Sequence, residues 1–146
     1  MRYRWDCILD RMPDGLVVGA EIGVGNGTNA HEMLQRRPDD LVLYLVDINP
    51  LPKLPNTVPF HMTSLEAAKF IAHPMFDFVF IDADHTYQAV KDDILAWRPK
   101  VKPGGWLCGH DFANPKDQVQ QAVEELCEGF ELDSDDTWFV RKLTRT

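Results

Sequence analysis

The chain has 146 residues, 45% of them apolar, and a net charge of −8 from 15 basic and 23 acidic side chains. That length and apolar content fit one globular domain and argue against a disordered chain; the acidic balance disfavours nonspecific binding to nucleic acid or to anionic membranes. Cys7, Cys108 and Cys127 are widely spaced with no CxxC pair, which argues against a disulfide scaffold or a cysteine zinc site. Neither a signal-peptide run nor an apolar stretch of membrane-spanning length is present, and the expectation is a soluble, cytoplasmic protein.

In chain order, Trp5, Ile8, Leu9 and Met12 fall at helical spacing, and Pro13-Asp14-Gly15 ends that helix. It reads as a packing helix over a sheet edge, with a substrate lid as the alternative. Residues 16–22 form a short apolar strand running into Gly23, Gly25 and Gly27, and Asn29 followed by Glu32 reads as a helix start. A strand, a glycine turn and a helix N-terminus bring backbone against a ligand in α/β folds; a tight turn without a ligand is the other reading of the same residues. Ala30, Met33 and Leu34 give the next helix one apolar stripe up to Pro38. Residues 41–46 read as a strand buried on both faces, ending at Asp47.

Prolines 50, 52, 55 and 59 forbid a helix in residues 48–59. Residues 58–62 are a third strand, and Thr63 with Glu66 forms a capping box opening a helix through Ile71. Residues 77–81 are a fourth strand ending in Asp82-Ala83-Asp84-His85, and Tyr87, Val90, Ile94 and Trp97 mark a helix that stops before Pro99. The basic cluster of residues 98–102 reads as a solvated loop and Pro103-Gly104-Gly105 as a turn, before a fifth strand at 106–109 that runs into His110-Asp111. Asn114-Pro115 reads as an N-cap and first helical residue, with Val119, Ala122, Val123 and Leu126 on one face. Residues 130–132 and 138–143 flank an acidic turn and close as a hairpin.

Strands alternating with helices predict an α/β fold: a Rossmann-like, doubly wound, mostly parallel sheet of about seven strands with an antiparallel C-terminal hairpin. One domain covers 1–146, with an N-terminal helix in 1–13 and the α/β core in 16–143.

Ligands of such sheets bind beyond the carboxyl ends of the strands. There the chain places Glu21 and the glycines, then Asp47, then Thr63-Ser64, then Asp82, Asp84 and His85, then His110 and Asp111. Asp47, 20 residues after Gly27, can accept hydrogen bonds from both hydroxyls of a ribose. The glycine spacing is G-x-G-x-G with Glu21 before it; that carboxylate repels a pyrophosphate and attracts an ammonium or sulfonium group.

The stretches EIGVGNG, LVDIN, SLEAA, FDFVFIDADHTYQAVKDDILAW and VKPGGWLCGHDF together resemble the class I S-adenosylmethionine-dependent methyltransferases, in the right order over about residues 16–111. They look most like the small-molecule O-methyltransferase group that includes the macrolide-sugar and caffeoyl-CoA-type enzymes. The resemblance implies S-adenosylmethionine as cofactor. Gly23, Gly25 and Gly27 would admit its methionine portion, Glu21 would support the amino end, and Asp47 would hold the ribose. Ser64, with Thr63 or Leu65, would sit beside the adenine, and Asp82 would face the amino group or a cation. The implied reaction is methyl transfer to an oxygen of a small molecule, with His85, His110 and Asp111 as catalytic candidates. Either histidine could act as base, or Mg2+ held by Asp82, His110 and Asp111 could activate the acceptor. His110 stands where relatives carry an acidic or amide residue.

The proline loop replaces the family's helix between the second and third strands, and no large cap or inserted lid is evident. A homo-oligomer completing the substrate site is therefore an expected partner beside the small molecule; membrane and nucleic acid are not. Two other readings stay open. One is a non-catalytic domain that binds the cofactor or a partner protein. The other is an NAD(P)-dependent oxidoreductase, against which the glycine spacing, Glu21 and the expected lack of a catalytic Tyr-x-x-x-Lys run count.

Overall fold

The computed structural model describes residues 1–143. Its centre is β1 (Val17–Ile22), flanked in parallel by β2 (Leu41–Asp47) and β4 (Phe76–Ile81). β3 (Thr57–His61) pairs parallel outside β2, and β5 (Val101–Gly109) parallel outside β4. β7 (Thr137–Arg141) then lies antiparallel to β5, with β6 (Glu131–Asp133) antiparallel at the edge. The order β3-β2-β1-β4-β5-β7-β6 confirms the expected seven-stranded, doubly wound sheet with a reversed hairpin. Chain direction across the sheet switches between β1 and β4, the crevice where such folds bind ligands.

Alternation along the strands feeds two apolar layers. Phe78 and Phe80 of β4 face one layer with α1 (Arg4–Leu9) and α2 (Thr28–Arg36) through Trp5, Ile8, Ala30 and Met33. Phe76, Val79 and Ile81 face the other with α3 (Ser64–Ala68), α4 (Tyr87–Trp97) and α5 (Val119–Leu126) through Ala67, Ile94, Trp97 and Ala122. α1 therefore packs on a sheet face beside α2 rather than over an edge. Just past its end, Arg11 pairs with the hairpin residues Glu131 and Asp133 at 2.7 Å each.

Several local expectations give way to tertiary partners. Pro103-Gly104-Gly105 is no turn before β5; it lies inside the strand as a bulge, since Val101 pairs with Phe76 but Trp106 pairs with Phe78. Asp77 fills the gap, accepting from Val18 N at 2.8 Å and pairing with Lys102 Nζ at 2.9 Å. The basic stretch is likewise not a free loop: Arg98 donates to Leu126 O and Lys100 to Ile71 O, both at 2.5 Å. The Thr63–Glu66 capping box forms, but α3 stops at Ala68. Asn114 caps an isolated turn, with Lys116 N on its Oδ1 at 3.1 Å, and α5 begins only at Val119. Gln118 is held before that start, its N on His85 O at 2.9 Å and its Oε1 on Tyr87 N at 2.6 Å.

Candidate functional site

Beyond the carboxyl ends of β1, β2 and β4 the sheet opens into a cleft of about 680 Å³. Eight of the residues expected there line it: Gly23, Gly25, Asp47, Thr63, Ser64, Leu65, Asp82 and Asp84. Glu21 and Gly27 stand behind the lining, and His85, His110 and Asp111 gather beside Asp82.

Gly23 ties three strand ends together. Its N donates to Val46 O at 2.8 Å, while Asp82 N donates to Ile22 O at 2.7 Å. Its φ is +89°, and a Cβ there would lie 2.2 Å from Asp82 O; only glycine lets β4 approach this closely. Gly27 opens α2, and a Cβ on it would strike Pro52 at 2.7 Å, so the proline loop rests on the glycine turn.

Asp47 braces that turn from β2. Its Oδ2 accepts from Val24 N at 2.8 Å and Gly25 N at 3.0 Å, and its Oδ1 from Asn49 N at 2.9 Å. Partial burial works to raise its pKa, and the N–H groups of Asn49, Gly25 and Val24 outweigh that, so the pKa falls and the carboxylate stays ionised.

Asn29 is not the helix cap its spacing suggests. α2 starts at Thr28, where Asn26 Oδ1 accepts from Thr28 N at 3.0 Å. Asn29 instead turns inward and donates to Glu21 Oε1 at 2.6 Å. Glu21 is 1% exposed, and Glu21 Oε2 and Asn29 Oδ1 have no hydrogen-bond partner among the described residues. Burial drives the Glu21 pKa up to about 8; the Asn29 bond opposes this and the negative charges of Asp82 and Asp47 add to it.

At the mouth of the cleft His85 Nε2 lies 3.1 Å from both Asp82 Oδ1 and Asp111 Oδ2, and its Nδ1 is 3.5 Å from Asp117 Oδ2. Burial lowers its pKa, but the Asp82 hydrogen bond and the charges of Asp111 and Asp117 raise it more. Burial raises Asp82 too, against the pull of both histidines. Three carboxylates around one imidazole favour its protonated form. Asp82, His85 and Asp111 each offer a ligand atom within 4.8 Å of the others.

His110, expected in that set, is drawn off by a residue the sequence did not flag. Its Nε2 lies 3.3 Å from Asp135 Oδ1 in the β6–β7 turn, and its Nδ1 lies 3.4 Å from Asp111 and 3.9 Å from Asp82. Asp135 also accepts from Arg4 N at 2.9 Å, and Asp136 accepts from Ala113 N at 2.8 Å. The hairpin turn thus clasps α1 and the segment after β5 together. Tyr87 and Lys91 do have the Tyr-x-x-x-Lys spacing of one oxidoreductase chemistry. They serve the α4–α5 contact: Tyr87 Oη donates to Glu125 at 2.6 Å, and Lys91 lies 3.8 Å from the same carboxylate.

No curated protein sequence matches the chain. Among solved structures it resembles MycE, a methyltransferase of the mycinamycin biosynthetic pathway solved with Mg and SAH. The TM-score is 0.70 at 18% identity, over 90% of this chain and 45% of that one. It also resembles CalS11, a TDP-rhamnose 3′-O-methyltransferase of calicheamicin biosynthesis (TM-score 0.74, 15% identity, 94% of this chain and 76% of that one). A third is SMU.1697c of Streptococcus mutans, solved with SAH (TM-score 0.61, 15% identity, 94% and 93%). The chain thus spans about half the length of MycE. At these identities the likeness is one of fold. The sequence model of a family described as a methyltransferase domain matches residues 20–112, from β1 through the end of β5, and by that match the chain belongs to the methyltransferase-domain family.

Proposed function

We propose that the chain transfers a methyl group from S-adenosylmethionine to an oxygen atom of a small molecule, in the cytoplasm. The observation that carries this reading is the cleft at the β1/β4 switch, with ionised Asp47 and the glycine turn on one wall and the Asp82–His85–Asp111 cluster at its mouth. Bound S-adenosylmethionine supplies a methyl carbon on a sulfonium, open to in-line attack by an oxygen nucleophile. Its positive charges suit a cleft lined by Asp47 and Asp82, where a pyrophosphate would be repelled; Glu21 behind them is held neutral by burial. Gly23, Gly25 and Gly27 make room for the methionine end, Asp47 takes the ribose, and Thr63, Ser64 and Leu65 border the base. SAH in the MycE and S. mutans structures, and the oxygen acceptor named for CalS11, support this reading.

His110 is the proton acceptor in this reading. Asp135 holds its Nε2, which leaves Nδ1 turned toward the cluster and able to take a hydroxyl proton. Protonated His85 keeps Asp82 and Asp111 from repelling an ionising acceptor. Two carboxylates and an imidazole also fit a divalent cation. Asp82, Asp111 and His85 in its deprotonated form would hold it in place of the His85 proton, and it would lower the pKa of the acceptor hydroxyl. The cytoplasmic location is supported by three free, buried cysteines. Among the described residues no helix is long and apolar enough to cross a membrane. A second copy of the chain would complete the acceptor side.

Calorimetric titration with S-adenosylmethionine and with NAD tests the cofactor. Binding of the first alone is expected, and binding of NAD alone would sink the reading. Turnover on hydroxylated acceptors then separates an enzyme from a domain that only binds the cofactor.

A further inference from the structure

The buried residues of α4 are Val90, Asp93, Ile94 and Trp97. Their spacing is that of an inward helical stripe, and Asp93 is its one polar member, 5% exposed. Burying a carboxyl in such a position is costly unless something pairs with it. Ser64 Oγ donates to Asp93 Oδ1 at 2.5 Å, and Trp97 Nε1 donates to that same Ser64 Oγ at 2.8 Å. The single proton of Ser64 is therefore committed to Asp93 and is not free for a ligand. Asp93 Oδ2 has no donor among the described residues, and it is not one of the sealed, unpartnered atoms of the core. Asp93 and Ser64 line the cleft together with Met62 and Leu65.

We infer that Asp93 selects the nucleobase of the cofactor, accepting a hydrogen bond from an exocyclic amino group through Oδ2, and that Ser64 positions Asp93 for this. The inference rests on the S-adenosylmethionine reading. A carboxylate offers only lone pairs, so it favours a 6-amino purine and repels the lone pairs of a 6-oxo purine. Met62 and Leu65 supply apolar surface for a flat ring. Burial above all pushes the Asp93 pKa to about 6, with the charges of Asp92 and Asp84 adding and the Ser64 bond opposing; the group is still an ionised acceptor at pH 7.

The bland alternative is that Asp93 only ties α3 to α4. The two are separated by titrating the full chain, as wild type, Asp93→Asn and Ser64→Ala, with S-adenosylhomocysteine and S-inosylhomocysteine. Wild type is expected to prefer the adenine compound by about 10- to 100-fold, the range for one hydrogen bond to a charged group. Asp93→Asn, whose amide can donate to the 6-oxo group, is expected to cut that ratio about tenfold or more. Ser64→Ala, which frees the carboxylate without removing it, is expected to cut it less, and tests the same point should Asp93→Asn not fold. Equal binding of both compounds by wild type overturns the inference. So does an unchanged ratio in the variants with only a lowered melting temperature, and in either case the cofactor reading stands. Absence of S-adenosylhomocysteine binding to wild type overturns both.

Discussion

Asn29 donates its side-chain amide to Glu21 at 2.6 Å inside the core, joining the first turn of α2 to β1 directly behind the glycine turn. A neutral donor holds a carboxyl that burial keeps from ionising. The pair is half-satisfied, since one oxygen of each partner is unbonded among the described residues. Buried polar groups in that state cost stability, and they stand at the wall where a cation is proposed to bind.

The first expectation concerns pH. The folded pKa of Glu21 is about 8, above its ordinary 4.5. Between those values the folded chain holds a proton that the unfolded chain has lost. Stability is then full below pH 4.5, falls as pH rises through the window, and stops changing above 8. The slope is at most about 1.4 kcal/mol per pH unit. Glu21→Gln keeps an acceptor for Asn29 and removes the titration. Thermal melts from pH 5 to 8.5 should show the variant gaining on wild type as pH rises, and parallel curves would refute this.

Gly23→Ala should destabilise the fold by about 3 kcal/mol, from a positive φ and an overpacked backbone contact together. The added Cβ would meet Asp82 O at 2.2 Å, and no flexible side chain is there to yield. Urea denaturation measures it; a loss below about 1 kcal/mol would mean that β4 can retreat.

Asp47→Asn puts an amide against the N–H groups of Val24, Gly25 and Asn49. The bonds lost are charge-assisted, worth about 1.5–3 kcal/mol each at most. Cofactor affinity should fall about tenfold or more, because the turn loosens and the ribose acceptor weakens at once. Calorimetry at fixed pH reads the change.

His110→Gln should lower methyl-transfer turnover by about 10²- to 10⁴-fold, the range for a general base, with cofactor affinity within about twofold of wild type. Asp135→Ala, which releases Nε2 of the same ring, should shift the pH–rate profile without abolishing turnover. A chelator that leaves wild-type turnover unchanged would show that Asp82, His85 and Asp111 work without a cation.

Residues whose environment is set by near neighbours were legible in the sequence. The apolar run of β4, the proline loop and the Thr63–Glu66 box each follow from side chains close by in the chain. Misreadings came where a distant partner outbid the local one. Asn29 has a good capping position, but a buried carboxyl eight residues earlier claims its amide and leaves Asn26 to serve the helix start. Pro103-Gly104-Gly105 has turn composition, but pairing with β4 and β7 makes it a bulge. Asp93 carries no mark in the sequence, because its partner Ser64 lies 29 residues away on another helix. His110 follows a strand end as expected, yet its partner arises 25 residues later across a hairpin. Spacing alone carries no information about such pairs.

The β6–β7 hairpin sets an order of events for the growing chain. Until residues 133–141 leave the ribosome, β5 is an open sheet edge, His110 lacks Asp135, and α1 lacks the acidic turn that holds Arg4 and Arg11. A nascent chain can therefore complete the wall around Gly23 and Asp47 first and assemble the rim around His110 last. Stalled or nicked within the hairpin, it would keep the one and lack the other.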